Sequence, residues 1–481
     1  MNIYFNTNYY LKPNKDNVLI MAAQLGRENL LPVADGFETR IHPIHAMILS
    51  FVDGRDETEI IDEASLTLKI DSELIRRFLN RLIDNDSYIS IKTSTGPSIF
   101  PPKIVISGNK EQYNNSKHRW QDFIYGSVDL SVRRHFTPSS LTLMVNNVCH
   151  TQCYYCYADK RSRTFCSLPY PQVQSLIKEA RELHVRSFDV IGGEFFLYPH
   201  WENMLKDLHN AGYHPYISTK MPLNEKQVAK LVELGVHDIQ ISLDSLIATH
   251  LERSLKVSSN YVGKIKKTLE LLDKKGISVY VHSVLSKETE TIGDLKSVYQ
   301  FISSCANIAE WKIDKAGKSL YASTPYSKIE VGEPELTKLV GYLDEIKDEA
   351  YFPIRYPRPD VANQIQNINP SVDFLNRGLC SGNYSSLFIL PDGKVTICEE
   401  LYWNKKFIIG DIKESTIREI WNSESALDLF NLKQGSIPSD SKCRECSIYS
   451  KCRSVRQVCY KEIIKKYGEN KWYYPDVNCP F

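Results

Sequence analysis

The sequence predicts an α/β protein in which six strand–helix units curl into an open barrel. A small winged-helix domain precedes the barrel and a cysteine-rich domain follows it. Three observations predict this. Between Ser139 and about residue 370, strand-like runs alternate with helical patterns, the signature of a parallel sheet. The first hundred or so residues follow a different order, one strand, three helices and a closing strand. The twelve cysteines are unevenly placed, with none before Cys149, three from 149 to 156 and seven from 380 to 479.

In residues 1–92, Asn17 to Ala23 (NVLIMAA) reads as a strand and HPIHAMILSFVDG as a helix capped by Gly54. Thr58 to Leu68 and Ser72 to Ile83 read as two further helices. In the second of these, Leu74, Ile75, Phe78, Leu79, Leu82 and Ile83 have the spacing of one buried face. Tyr88 to Lys92 (YISIK) alternates as a strand. Residues 93–137 are rich in Gly, Pro, Asn and Ser (TGPSIFPPK, GNKEQYNNSK) and read as a linker. The barrel, residues 138–370, draws its strands from Leu141 to Val145, Ser187 to Ile191, Pro215 to Ser218, Asp238 to Leu243, Ser278 to Val284 and Glu310 to Ile313. Residues 371–481 hold short hairpins and most of the remaining cysteines.

At 481 residues the chain has room for about three domains. Its 59 Lys+Arg against 58 Asp+Glu give no basic field that would recommend nucleic acid or an anionic membrane. No apolar run reaches the ~18 residues of a membrane span. The start, MNIYFNTNYYLKPNKDN, lacks the basic and apolar regions of a signal peptide, so a cytoplasmic protein is expected. In that compartment, clustered cysteines read as metal or redox sites rather than disulfides.

Cys149, Cys153 and Cys156 form C-x3-C-x2-C directly after the first barrel strand, where the loops of parallel α/β folds carry chemistry. At this chain's cysteine frequency, chance would give that triple with a probability of roughly 0.7%. Three thiolates can hold three corners of a cubane iron–sulfur cluster and leave one iron open. The same cysteines with His150 as fourth ligand could instead hold zinc.

C-x3-C-x-aromatic-C, with Tyr155 as the aromatic residue, resembles the motif of the radical S-adenosylmethionine (SAM) enzymes. The resemblance implies a partial (β/α)6 TIM-type barrel. Further positions match in order. Gly192, Gly193 and Glu194 resemble the segment that binds the SAM amino group, with Glu194 accepting from the ammonium. Ser242 and Asp244, in ISLDS, resemble the ribose-contacting segment, and Arg253, in HLERS, the arginine that pairs with the SAM carboxylate. Ser218, Thr219 and Lys220 stand where many relatives have Thr-Asn-Gly. The implied chemistry is one-electron cleavage of SAM to a 5′-deoxyadenosyl radical that abstracts a substrate hydrogen. A flavodoxin or ferredoxin is the kind of electron donor implied.

Cys380 is followed after twelve residues by Gly393 and after four more by Cys398; Cys443, Cys446, Cys452, Cys459 and Cys479 come next. This is similar to the SPASM extension, with Cys459 displaced by a three-residue insertion. The resemblance implies two auxiliary 4Fe–4S clusters, three clusters in all. Cys443, Cys446, Cys452 and Cys479 would bind one auxiliary cluster. Cys380, Cys398 and Cys459 would bind the other with an open iron, because Phe374 occupies the position of an eighth cysteine in some relatives. Cys166 and Cys305 are expected to be ordinary thiols. Paired zinc ribbons are the alternative for these C-x2-C spacings.

The 1–92 unit, with MILSFVDGRDETEI, resembles the precursor recognition element of ribosomally made, post-translationally modified peptide (RiPP) pathways. That implies leader-peptide binding by strand addition beside the last helix, where Arg76, Arg77 and Arg81 could meet an acidic leader or form a solvated face; a dimerisation or DNA-binding winged helix is the alternative for the domain. Together these resemblances imply a peptide maturase that installs an intramolecular cross-link, a C–C cyclophane or a thioether. Epimerisation, sulfatase-type maturation of a folded protein, and a zinc-stabilised peptide- or DNA-binding regulator are the alternatives.

Overall fold

In the computed structural model, the described residues are 1–23, 37–108, 118–159, 165–322, 324–358 and 374–481. They form two compact units, residues 1–139 with 181–187 and residues 140–180 with 188–481.

The first unit runs β1 (Asn2–Phe5), β2 (Tyr9–Pro13), β3 (Val18–Ala22), β4 (Glu38–Ile41), α1 (Pro43–Leu49), β5 (Asp53–Asp56), α2 (Glu57–Leu68), α3 (Ser72–Asn80), β6 (Ile89–Thr93), β7 (Gly96–Phe100) and β8 (Val105–Ser107). This is richer in strands than the single strand and closing strand expected. β5 pairs with β1 rather than with the β6–β7 hairpin, so the strands do not form one winged-helix sheet. The core unites Ile3, Leu11, Ile20, Ile61, Ile75, Leu79 and Phe100.

Three expectations are corrected here. α1 stops at Leu49, where the Ser50 hydroxyl donates to the Met47 carbonyl (2.7 Å). Gly54 is therefore no helix cap. It lies inside β5 at φ +99°, and a Cβ there would stand 2.3 Å from the Tyr4 ring. Leu74, placed by periodicity on the buried face of α3, is 52% exposed. Finally, the segment 93–137 is not a bare linker. Its residues 96–107 carry β7 and β8, and its end is tied down by buried polar groups. The buried Lys12 ammonium donates to Thr137 Oγ1 (2.8 Å) and the Leu183 carbonyl (3.1 Å), and His135 bridges Glu38 (2.7 Å) and Ser139 (2.6 Å). Buried polar groups need such partners.

The second unit supplies the barrel. Its strands are β9 (Ser140–Met144), β10 (Ser187–Ile191), β11 (Ser218–Thr219), β12 (Asp238–Ser242), β13 (Ser278–Leu285), β14 (Ile308–Lys315) and β15 (Ile354–Arg355). Between them lie α4 (Tyr170–Glu182), α5 (Trp201–Asn210), α6 (Glu225–Glu233), α7 (Ala248–Leu255), α8 (Tyr261–Lys274), α9 (Ile292–Ile302) and α10 (Glu333–Ile346). Five of the six expected strands are present over most of their length, the third overlaps its expected range only at Ser218, and β11 to β15 pair in parallel order. The alternating burial of β13 shows why: Val279, Val281, Ser283 and Leu285 are buried, while the intervening residues are half-open. Between β10 and β11 no ladder forms among the described residues. There the Tyr216 N–H donates to the Asp189 carboxylate (3.1 Å) instead of to a strand, and β11 is two residues long.

Beyond the barrel come β16 (Ser386–Ile389), β17 (Lys394–Thr396) and β18 (Ile408–Asp411). β16 pairs in parallel with β9, so the cysteine-rich end extends the barrel sheet. Asp392 and Gly393 turn the chain between β16 and β17, with Gly393 at φ +94°. The expected boundary near residue 370 lies outside the described residues. No helix among the described residues is long and apolar enough to cross a membrane.

Candidate active site

The loop after β9 carries Cys149, Cys153 and Cys156, exposed at its start and half-buried at its end. Two backbone bonds fasten it to α7: Gln152 N–H to the Leu255 carbonyl (2.8 Å) and Tyr154 N–H to that of Ser254 (3.0 Å). The loop also meets the turn after β10. The Gly193 N–H donates to the Asn146 carbonyl (2.8 Å), and the Asn146 amide donates to the Glu194 carbonyl (3.1 Å) while accepting from Val148 N–H (3.0 Å). A Cβ on Gly193 would stand 2.1 Å from the Val148 carbonyl oxygen, so only glycine permits this approach.

Glu194 is 4% exposed. Burial pushes its carboxyl up, although the Thr219 hydroxyl (2.8 Å) and the Phe196 N–H (3.2 Å) donate to it and offset part of that rise. A buried carboxylate of this kind is suited to receiving an ammonium.

Tyr155 is buried, and its hydroxyl donates to Asp244, whose other oxygen accepts from Val284 N–H (3.0 Å). The Lys220 ammonium joins them, 2.5 Å from the Tyr155 oxygen and 2.9 Å from Asp244 Oδ2. Burial works against this ammonium, but Asp244, Cys153 and Cys156 outweigh it and its pKa stays above the usual lysine value. Ser242 ends β12 in register with His282 of β13. Arg253 is not drawn into this group: it is half-exposed on α7 and pairs with Glu288 at 2.5 Å.

Two further cysteine groups form in the C-terminal part. Cys443, Cys446, Cys452 and Cys479 line one small cavity with Phe374, Tyr449, Arg453 and Phe481. Cys380, Cys398 and Cys459 form the other: Cys380 acts electrostatically on both Cys398 and Cys459, and burial pushes the Cys398 thiol up to about 12. Metal binding there would therefore release a proton. Cys166 lies beside Asn147 and Asp392, and the Cys305 thiol faces the Phe301 carbonyl. Sequence reasoning missed the parts played by Asn146, Thr219 and Lys220, all of which act through residues far along the chain. It also missed Glu399, solvent-exposed next to Cys398, its carboxyl pushed up by partial desolvation and by Glu400.

Two family models match this architecture, the radical SAM superfamily over residues 143–302 and the SPASM iron–sulfur cluster-binding domain over residues 380–447. The chain thus carries a radical SAM domain and a SPASM domain, and 4Fe–4S clusters and SAM are the cofactors such domains hold. It is 22% identical over 339 residues to the antilisterial bacteriocin subtilosin biosynthesis protein AlbA of Bacillus subtilis, covering 70% of this chain and 69% of AlbA. It is also 22% identical over 316 residues to the sporulation killing factor maturation protein SkfB of the same organism, covering 64% of this chain and 69% of SkfB. Among solved structures, Streptococcus suis SuiB bound to precursor peptide SuiA shares the fold at a TM-score of 0.65 and 17% identity, covering 100% of each chain.

The residues present fit these cofactors. Four soft thiols, Cys443, Cys446, Cys452 and Cys479, line a single mainly apolar cavity, although among the described residues no three or more His, Cys, Asp or Glu side chains are arranged around a single metal-ion position. The first loop approaches the Gly192–Glu194 turn backbone to backbone, and the Glu194 carboxylate of that turn is buried.

Proposed function

We propose that this enzyme matures a ribosomally made peptide, binding its leader through the first unit and cross-linking side chains within its core as a C–C cyclophane or thioether. The observation that carries the reading is the joining of the Cys149–Cys156 loop to the Gly192–Glu194 turn through Asn146 and Gly193. The peptide-maturing names of AlbA and SkfB, and the precursor peptide seen with SuiB, support the substrate class.

Cys149, Cys153 and Cys156 would hold the cluster that binds SAM. Cys443, Cys446, Cys452 and Cys479 would hold one auxiliary cluster. Cys380, Cys398 and Cys459 would hold the other with one iron left open, a position suited to a substrate thiolate. With one electron from a flavodoxin- or ferredoxin-type donor, the bound cluster and SAM would supply methionine and a 5′-deoxyadenosyl radical able to take a hydrogen atom from a substrate C–H bond. The chain's part is to receive the SAM ammonium at Glu194, pack Tyr155 and Ser242 against the nucleoside, and hold the substrate where one C–H bond faces the radical carbon.

In the first unit, the order α1–β5–α2–α3–β6–β7 supports a winged-helix reading despite the pairing of β5 with β1. Arg81 donates to the Ser90 carbonyl (3.2 Å), placing α3 beside β6, an outer strand of its two-stranded sheet. A leader adding to β6 would meet the exposed Leu74 and the arginines of α3.

Mass spectrometry tests the proposal: holoenzyme, SAM and reductant are incubated with a short precursor peptide encoded beside this gene. Loss of a pair of hydrogens from the core supports cross-linking. An unchanged mass with deuterium taken up from heavy water would replace it with epimerisation, and no SAM-dependent change would overturn peptide maturation.

A further inference from the structure

Lys220 is a cation set among the acidic groups of the SAM site. Its Nζ reaches the Tyr155 hydroxyl at 2.5 Å and Asp244 Oδ2 at 2.9 Å, and lies 5.2 Å from the centre of the Tyr155 ring. Its side chain is 15% exposed and that of Asp244 is fully buried. Its backbone is fixed too: the Tyr261 hydroxyl donates to the Lys220 carbonyl (2.7 Å), and the Lys220 N–H lies 3.4 Å from Glu194 Oε2.

The charges need this ammonium. Glu194 and Asp244 are buried carboxylates, and Cys153 and Cys156 become thiolates on binding metal. The arginine expected to face the ligand's carboxylate is instead paired with Glu288 on the flank of α7. A buried carboxylate without a partner is costly, and a charge pair in a low-dielectric site acts on its neighbours more strongly than in water.

We propose that Lys220 is a positioning residue of the SAM site, locking Tyr155 to Asp244 and setting a positive charge beside Cys153 and Cys156. The proposal rests on the assignment of Cys149, Cys153 and Cys156 to the SAM-binding cluster. Two consequences follow. A fixed positive charge favours the reduced, more negative cluster, so it raises the potential at which the cluster accepts an electron. A Tyr155 held in one place presents one surface to SAM, so binding loses less conformational freedom.

The test compares reconstituted wild-type enzyme with Lys220→Met and with Lys220→Met/Asp244→Asn. Iron and sulfide content, SAM affinity by equilibrium binding, and the midpoint potential of the EPR signal perturbed by SAM are read for each. Wild-type loading and that SAM-perturbed signal check the cluster assignment itself, separately from the role of Lys220. With iron retained, Lys220→Met is expected to bind SAM at least tenfold more weakly and to show a lower potential. The double variant, having lost both charges, should return toward the wild-type potential. An unchanged affinity and potential in Lys220→Met would overturn the proposal. If Lys220→Met fails to load iron, loading restored in the double variant supports the charge-balancing role, and failure of both overturns it.

Discussion

Gly193 lies against the Val148 carbonyl so closely that a single added methyl group would stand 2.1 Å from its oxygen. The contact is backbone to backbone, so no side chain can swing aside to make room. Gly193→Ala must therefore separate the cysteine loop from the Glu194 turn. The expected result is a few kcal/mol of lost stability, as for other overpacked sites, and loss of SAM binding. Thermal unfolding and equilibrium SAM binding check it; retention of wild-type affinity would contradict the role given to this approach.

Glu194 gives a prediction with a pH sign. Burial raises its carboxyl pKa, so protonation begins at a higher pH than for an ordinary glutamate. Only the ionised form pairs strongly with an ammonium. SAM affinity should fall as pH drops through the raised pKa. Glu194→Gln should weaken binding by roughly 10- to 100-fold, the worth of a charge-assisted hydrogen bond, and flatten the acid limb. Binding isotherms across pH measure both effects.

His45 sets the acid stability of the first unit. It stacks on Phe78 with ring centres 4.8 Å apart and meets the Ser98 hydroxyl at 3.0 Å. Burial lowers its pKa to about 4 from an ordinary 6.5. The unfolded chain then binds the proton more readily than the folded one, so stability falls as pH drops from 6.5 toward 4 and levels off below that. The loss is at most roughly 3 kcal/mol from this residue. His42 and His135, also lowered by burial, act in the same direction. His45→Phe should flatten the acid slope of the melting temperature, and an unaltered slope would contradict the assignment.

Leu74 tests the leader site. It is exposed on α3 and no core packing depends on it. Leu74→Glu should leave the melting temperature nearly unchanged while weakening binding of a labelled leader peptide by about tenfold or more, as loss of an apolar anchor does. Fluorescence anisotropy reads this directly. Equal binding by the variant would move the leader elsewhere.

What the sequence made legible was local. The alternation from β9 to β14 follows from side chains whose period matches the pleat, and the cysteine triple follows from spacing within one loop. What it concealed depends on residues distant in the chain. Lys220 and Tyr155 are 65 positions apart, and neither announces the other. Arg253 has the expected place in sequence, but Glu288, 35 residues on, takes its side chain. Leu74 has the helical spacing of its buried neighbours, and periodicity does not tell the edge of an apolar stripe from its centre. In the Gly- and Pro-rich segment after residue 93, β8 pairs with β1 at the far end of the unit's sequence, whereas β7 closes a local hairpin with β6, Thr93 opposite Gly96, that the Gly and Pro content disguised.

The assignment of the cysteines is tested most directly by counting iron and acid-labile sulfide per chain after anaerobic reconstitution, in the wild type and in a Cys149/Cys153/Cys156→Ala triple variant. Three cubanes predict about twelve iron and as much sulfide in the wild type, falling by about four of each in the variant. Iron that does not change in the variant, or zinc bound without sulfide, would contradict the account.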